Sequence, residues 1–450
     1  MIVEAARVVA VVVLLVMVAY TARHLFFALH RLFSSPRMNY TDLAGFHLPS
    51  VSVLIPMHNE EAVAPDVLEA LAETDYPHDR LEVIPINDHS ADGTPGILEG
   101  YARRYPWIKP LHRREGKRGK AAALQASTKA ARGEILIAFD ADYVPGRSLL
   151  KFLVAPFADP EVGAVMGRVV PHNVGASLLT RLLDLERAGG YQIDQQARYN
   201  LGLIAQYGGT AGGVRRAALE TAGGWNTHSL AEDTDLTLRL AIRGWKIACI
   251  NRAECYEEVP ETWEGRRRQI ERWAIGHTDC LHRYLGPLLR SPCLSARAKW
   301  DGVFLLGVYL TAPLILLGWI ATVILFFAGH TYLPVSVGFF LASTSCNAVG
   351  NFASFFEIGS SVLLDGAERR IRLLPLNVAN FLFSTTTVAV ALVKYYAGRA
   401  RGHSLPWNKT ERHRNGNGNG WTNGNGEANG NGRGLSVVKA RAAAQNSGSS

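Results

Sequence analysis

The chain has 450 residues, is 48% hydrophobic with a slightly positive mean hydropathy, and carries a net charge of +8. That apolar content is high for a soluble protein, and the length allows one globular domain of about 250 residues plus membrane segments. Nucleic acid is not an expected partner, because no nucleic-acid-binding module is visible and basic residues beside apolar runs serve to attract anionic lipid headgroups.

The first element, roughly residues 6–28, contains VVAVVVLLVMVAY and no acid. It reaches the ~20 residues that a helix needs to cross a bilayer and is too long for a signal-peptide core. Residues 1–30 are therefore expected to be a retained transmembrane anchor. Arg23, Arg31 and Arg37 stand on the C-terminal side of this anchor, and Arg266, Arg267 and Arg268 mark the far end of the soluble stretch. The positive-inside rule puts that stretch in the cytoplasm of an integral protein of the cell membrane.

Between 48 and 260, short apolar runs alternate with helical patterns. Val51-Ser52-Val53-Leu54-Ile55 predicts a buried strand halted by Pro56, followed by a helix over 60–74. Further strands are expected over 81–86, ending at Asn87-Asp88, and over 134–139, ending at Asp140. This alternation predicts an α/β domain with a mostly parallel sheet and helices on both faces. Ligands bind beyond the carboxyl ends of such strands, where Asn59, Asp88, Asp140 and Asp142 fall. A dinucleotide site is excluded: PMHNEE follows the first strand without a glycine-rich turn, and there is no GxxxxGK[ST] loop. A diphosphate would instead need a cation and basic side chains.

Asp140-Ala141-Asp142 offers hard oxygen ligands for Mg²⁺ or Mn²⁺ bound together with substrate phosphates. Asp142 is the principal metal candidate; Asp140 can serve metal and donor alike. Asp88 is expected to accept hydrogen bonds from the nucleotide, with an Asx-turn as the plain alternative. Lys120 opens a helix, where a cation is unfavourable unless an anion lies near. Glu232-Asp233 opens another, AEDTDLTLRLAIRGW; both are catalytic candidates, one of the pair being the expected base with Asp233 the first choice and Glu232 the second, and Asp235 is structural. Gln269, Arg272 and Trp273 share one helical face. Arg272 suits a diphosphate, Gln269 joins it as a donor contact, and Trp273 offers a flat face to the acceptor sugar; an amphipathic surface helix is the plain alternative.

Apolar runs over 302–328, 332–363 and 373–396 follow, the middle one carrying Asn347, Asn351 and Glu357. Basic residues stand at both ends of the last run: Arg369, Arg370 and Arg372 before it, Arg399, Arg401 and Lys409 after it. A single crossing does not put both ends in the cytoplasm, so the number of spans stays open. Five scattered cysteines without CxxC spacing read as reduced thiols. The Asn/Gly-rich stretch over 413–450 has almost nothing apolar to bury and is expected to be disordered. The resulting division is an anchor over 1–30, a catalytic domain over 48–260, interfacial helices over 261–300, a membrane region over 301–397 and the tail.

The ordered set VSVLIPMHNEE, INDHSADGT, GKAAAL, FDADYVP, GGTAGGVRR, AEDTDL and QIERW resembles family 2 inverting glycosyltransferases, in particular their membrane-embedded cellulose-synthase-like branch. The resemblance covers about 48–290 and continues more weakly to about 412. Tyr207-Gly208-Gly209-Thr210-Ala211-Gly212 followed by Arg215, and Trp407-Asn408-Lys409-Thr410, are similar to the mannan and glucan synthase subgroup. The resemblance implies a GT-A fold, a UDP- or GDP-linked sugar donor, a divalent cation and inversion at the anomeric carbon. The chain has AED for the usual TED, and Asn87-Asp88 for a paired acid; Gly208 and Val214 stand where that subgroup has Asn and Trp. These departures bear on sugar and acceptor rather than on transfer.

The leading expectation is synthesis of a β-linked polysaccharide of glucan or mannan type at the cytoplasmic face. The alternative is a glycolipid synthase acting on diacylglycerol, ceramide or a polyprenyl carrier, and the non-enzyme alternative is a binding scaffold on a degenerate transferase fold. So few spans leave room for a homo-oligomer.

Overall fold

The computed structural model describes residues 1–34, 48–329, 355–366 and 368–401. Expectations placed on Arg37, Asn347, Asn351, Trp407-Asn408-Lys409-Thr410 and the 413–450 tail lie outside the described residues, as does most of the 332–363 run.

Two helical elements pair at the apolar end of the molecule. The first is α1 (Ile2–Phe33). The second joins α11 (Ala296–Gly307) to α12 (Thr311–Phe327) through one short 3₁₀ turn. Ala6 and Ala10 pack on Ala321, Val13 on Gly318, and Tyr20 meets Phe304 edge-on with ring centroids 4.9 Å apart. A Cβ on Gly318 would come within 2.8 Å of Val13, so glycine sets the approach of the two helices. Both elements, and a third over Arg370–Ala400, are long and apolar enough to cross a membrane. Part of the middle apolar run forms a short helix, α13 (Phe355–Leu364).

The α/β domain between them carries one eight-stranded sheet. Its first half is parallel, in the order β3 (Leu111–Arg113), β2 (Leu81–Asp88), β1 (Val51–Met57), β4 (Ile135–Ala138). Pro56 does not end β1 as expected. The pairing of β1 with β4 stops at Leu54, so beyond it only the β2 side pairs and a missing amide donor is tolerated.

The second half departs from the mostly parallel expectation. The strand β7 (Gly212–Arg215) runs antiparallel to both β4 and β6 (Val162–Pro171), while β8 (Lys246–Glu257) is parallel to β6 and antiparallel to β5 (Val144–Pro145). The sheet is mixed. The glycine pair at the start of β7 hides it from a propensity reading, because glycine is depleted in strands.

Alternate residues of each central strand enter opposite cores. Val53 and Ile55 of β1 face Val67, Leu68 and Leu71 of α2 (Ala64–Ala72) and Leu153 of α5 (Leu149–Val154). Leu54 and Leu136 face Leu124 of α4 (Lys120–Ala130) and Leu236 and Leu240 of α9 (Glu232–Ile242). With α3 (Thr94–Arg104), α6 (Leu178–Gly189), α7 (Gln196–Asn200) and α8 (Arg216–Thr221) added, helices cover both faces, and the polar carboxyl edge of the parallel strands is left open.

A long amphipathic helix, α10 (Trp263–Arg290), roofs that edge. Its N-terminus is capped by Thr262, whose hydroxyl accepts from the Gly265 amide at 3.2 Å. The last helix, α14 (Asn377–Ala400), packs along α10 through Val388, Ala391 and Leu392 against Ile270 and Ala274.

Candidate active site

The open edge of the sheet forms one wall of a cavity of about 880 Å³. Asp88 ends β2, Asp140 and Asp142 follow β4, Lys120 starts α4, and Glu232 and Asp233 start α9; all six line the cavity, as do Gln269, Arg272 and Trp273 of α10. The structure therefore brings these nine residues to one space, although they are spread over 186 positions between Asp88 and Trp273; Asn59 does not line it, its side-chain oxygen instead accepting from the Ala91 amide at 2.8 Å.

Lys120 is the hub of the sheet-edge wall. Its Nζ lies 2.7 Å from Asp140 Oδ1 and 3.5 Å from Glu232 Oε1. Burial alone would lower its pKa, but Asp140, Glu232 and Asp233 outweigh that and hold the ammonium above the ordinary lysine range. Those same anions offset the unfavourable position of a cation at a helix N-terminus.

Asp233 behaves in the opposite way. Burial and the neighbouring Glu232 raise its carboxyl to about 6, with the Thr234 amide and Lys120 pulling the other way. Its Oδ1 accepts from the Thr234 amide at 2.6 Å. Gly209, at φ 73°, lets the chain pass this pair, since a Cβ there would lie 2.9 Å from the Asp233 Cβ. Asp235 is built into the fold, accepting from Tyr284, Asn226 and Arg239 at 2.6–2.8 Å.

Asp88 is more committed than the sequence suggests. Its Oδ1 accepts from Arg113 at 2.5 Å and from the His89 ring at 2.8 Å, and its Oδ2 from the Gly119 amide at 2.8 Å. The carboxylate thus ties β2 to the basic loop that presents Lys120, and only its remaining lone pairs face the cavity.

Asp142 is buried beside Asp140, whose backbone amide donates to Thr210 Oγ1 at 3.0 Å. Among the described residues, no group of three or more His, Cys, Asp or Glu gathers as a metal cage. Two carboxylates at a strand end nonetheless suit a hard cation that takes its other ligands from water and a diphosphate.

On α10, Arg272 forms no ion pair among the described residues and lines the cavity. Trp273 differs from expectation in its surroundings: the Arg187 and Arg266 guanidiniums lie 5.3 and 5.5 Å from its ring, so cations already use part of the indole surface. Those arginines are themselves anchored, Arg187 on Glu257 at 2.6 Å and Arg266 on Glu186 at 2.6 Å. Burial opposes the charge on Glu186, but Arg266 and Arg187 outweigh it and keep the carboxyl below its ordinary range. Arg266 also donates to Gln269 at 2.8 Å.

The cavity continues past these residues to Tyr20, Arg23 and His24 of α1, Phe304 and Leu305 of α11, Tyr309, and Glu357 of α13. There the charges are paired. Arg23 donates to Asp194 at 2.9 Å and Asp301 at 2.7 Å; Arg198 reaches the same two acids at 2.8 and 2.5 Å. His24 and Glu357 meet at 2.5 Å. Asp194 sits in a π-helical turn, Gly190–Gln195, and although burial works against its charge, Arg198 and Arg23 hold it below the usual carboxylate range. Burial, with Arg198 close by, lowers His277 to about 4 and leaves it neutral beside Thr234.

Sequence reading missed this second wall and also Glu257, which ends β8. The rule that singled out Asp88 and Asp140, polar residues at the carboxyl ends of strands, applies equally to Glu257. Arg23 and His24 carried a signal as well, two polar groups one turn inside an apolar run.

Residues 49–276 match the sequence pattern described as Glycosyltransferase like family 2. The chain is 36% identical over 246 residues to a probable glycosyltransferase, YdaM, of Bacillus subtilis, covering 54% of this chain and 59% of that protein. It is 34% identical over 285 residues to the beta-monoglucosyldiacylglycerol synthase of Trichormus variabilis, covering 63% and 60% respectively. With glucomannan 4-beta-mannosyltransferase 7 of Arabidopsis thaliana it shares 30% identity over 263 residues, 56% of this chain and 47% of that one. The chain thus spans about three fifths or less of the length of these relatives. Among solved structures it resembles the mannosyltransferase PcManGT of Pyrobaculum calidifontis, in complex with GDP-Man and Mn²⁺, at a TM-score of 0.58 and 22% identity, covering 87% of this chain and 99% of that one. That likeness identifies the GT-A-like architecture. With half its length matching one pattern at the residues that build the cavity, the chain belongs to glycosyltransferase family 2.

Proposed function

We propose that the chain is a membrane-bound, metal-dependent, inverting hexosyltransferase that moves a sugar from a UDP- or GDP-linked donor to a lipid-borne hydroxyl at the cytoplasmic face. The observation that carries this reading is the continuity of one cavity from the sheet-edge carboxylates to the faces of α1 and α11. An acceptor held by its tail in the bilayer reaches Asp233 from that side, while a nucleotide enters over the sheet edge.

In this reading Asp233 takes the proton of the acceptor hydroxyl as its oxygen attacks the anomeric carbon opposite the diphosphate. The bond from that carbon to the diphosphate oxygen breaks, and its electron pair leaves with the nucleotide. A base at about 6 suits work near neutral pH. Glu232 stays on Lys120, Arg272 and Gln269 meet the diphosphate, and Asp88 holds the loop beneath the nucleotide. Asp140 and Asp142 would hold Mg²⁺ or Mn²⁺, which neutralises charge gathering on the leaving group. The relatives support the same division: one is named for glucosylating diacylglycerol, and the structural neighbour was solved with GDP-Man and Mn²⁺.

A growing polysaccharide is the second reading, favoured by Trp273 on the cavity wall and by the glucomannan mannosyltransferase among the relatives. Membranes containing the protein, given radiolabelled UDP- and GDP-sugars, separate the two. Label in the organic phase supports the lipid acceptor; label in an ethanol-insoluble polymer overturns it. No transfer from any donor, with or without Mn²⁺, overturns the transferase reading as a whole.

A further inference from the structure

We infer that the last helical element, Arg370–Ala400, does not cross the bilayer but lies along its catalytic-side surface, one face on the protein and the other on lipid. By length and apolar character alone it qualifies as a span. Its contacts argue otherwise. From its start to its end it stays against parts of the catalytic side: Asn380 donates to Glu186 at 3.1 Å, Phe383 packs on Trp263 at 4.7 Å, Lys394 pairs with Glu271 at 3.0 Å, Tyr395 donates to Asp279 at 3.4 Å, and Tyr396 meets His282 at 3.1 Å.

From Phe383 to Tyr396 this amounts to about 20 Å of helix, two thirds of a ~30 Å hydrocarbon core. If α14 crossed, it would draw α10 into the core with it. That helix carries Glu264, Arg267, Arg268, Asp279 and Arg283, each with a side chain more than a third exposed. Charges exposed to hydrocarbon are too costly for so many to be carried there.

A true pair of spans looks different. The helices α1 and α12 touch down to Ala6 and Ala321, far from the catalytic domain. By contrast, α14 meets that pair near Ala312, in the first turn of α12, through Val388, Ala391 and Leu392. Its exposed large apolar residues Val378, Leu382, Val390 and Val393 share one face, interrupted there by Thr386 and bordered by Lys394 and Tyr396, the amphipathic pattern of an interfacial helix. Its flanks supply what anionic headgroups attract: Arg372 before it, and Arg399 and Arg401 at its end, all exposed. The placement also removes the conflict in the charge pattern, since both basic flanks then lie on the same side.

The test uses the full chain carrying Cys293→Ser and Cys346→Ser, with single cysteines introduced by Arg372→Cys, Ala400→Cys and, as a catalytic-side reference, Arg103→Cys. A membrane-impermeant maleimide is applied to sealed vesicles of each orientation. The expected result is that all three positions react from one and the same side. Reaction of Ala400→Cys only from the side opposite Arg103→Cys overturns the inference. A second measurement decides even if an end is shielded: a fluorophore on Val378→Cys or Val393→Cys, quenched by nitroxide lipids at graded depths. A surface helix puts the two at equal depth; a crossing helix separates them by about 22 Å.

Discussion

The two walls of the cavity treat charge in opposite ways. On the sheet-edge wall, Asp140, Glu232 and Asp233 crowd one lysine, and Asp233 is pushed up to about 6. On the wall formed by α1 and α11, Arg23 and Arg198 share Asp194 and Asp301 in a closed square of ion pairs. An unbalanced set has work left for a cation and a diphosphate; a balanced set holds parts together. In this reading the first wall does chemistry, and the second fixes α1 and α11 to the domain so that the acceptor arrives in register.

The largest effect should come from Asp142→Asn. Loss of one cation ligand should remove Mn²⁺-dependent donor binding and lower turnover on the order of 10³-fold, several kcal/mol of leaving-group stabilisation. Donor calorimetry with and without Mn²⁺ checks it, and unchanged metal dependence would sink the role assigned to this acid. The thermal stability should barely move.

Asp301→Ala should do the reverse. It leaves Arg23 and Arg198 buried with half their partners, the situation that typically costs ~3–5 kcal/mol. The melting temperature in detergent should fall while turnover per folded molecule is kept. A variant that is stable but inactive would move this wall into the chemistry.

Asp233→Asn sharpens the contrast because one change should act on both properties. Transfer should drop about 10²-fold with donor affinity preserved. In the parent, activity should fall as pH drops below about 6, where the carboxyl takes up a proton. The sign for stability is opposite to that of an ion-paired acid. A carboxyl raised above its ordinary 3.8 binds its proton more tightly when folded, so its contribution favours the fold at low pH and is lost as pH rises from about 4 through about 6. The Asn variant should therefore gain stability over the parent at pH 8 and not at pH 4. A parent whose activity is flat from pH 5 to 8 would move the base elsewhere.

The sheet-edge wall was legible because its residues are set by local rules. A strand must end, and Asp140 and Asp142 stand two residues apart where β4 does; a helix must begin, and Lys120 and Glu232 begin two. The wall formed by α1 and α11 was not legible. Asp194 and Arg198 form a local i,i+4 pair, but their meeting with Arg23 and Asp301, from α1 and α11, is a product of tertiary packing that no short window contains. The antiparallel β7 was lost for a related reason: its glycines are dictated by close neighbours such as Tyr207 and the Val165 carbonyl, not by strand propensity. For Trp273 the position was legible and the company was not, since Arg187 comes from a helix distant in sequence.

That company sets the smallest of the expected effects. Trp273 stands where the two walls join, with guanidiniums from both Arg187 and Arg266 near its ring. Truncation to Ala removes an apolar face and two cation–π contacts, each cation–π contact on the order of 1 kcal/mol, so a combined change of about 30-fold is expected. If the ring serves the acceptor, the loss should fall on acceptor KM while donor affinity stays unchanged, and Trp273→Phe should recover part of it. Arg272→Ala, one position earlier, should weaken nucleotide binding and spare acceptor KM. Should Trp273→Ala instead lower the melting temperature and leave both constants alone, the indole belongs with the balanced wall, as packing for the Arg187–Glu257 and Arg266–Glu186 pairs.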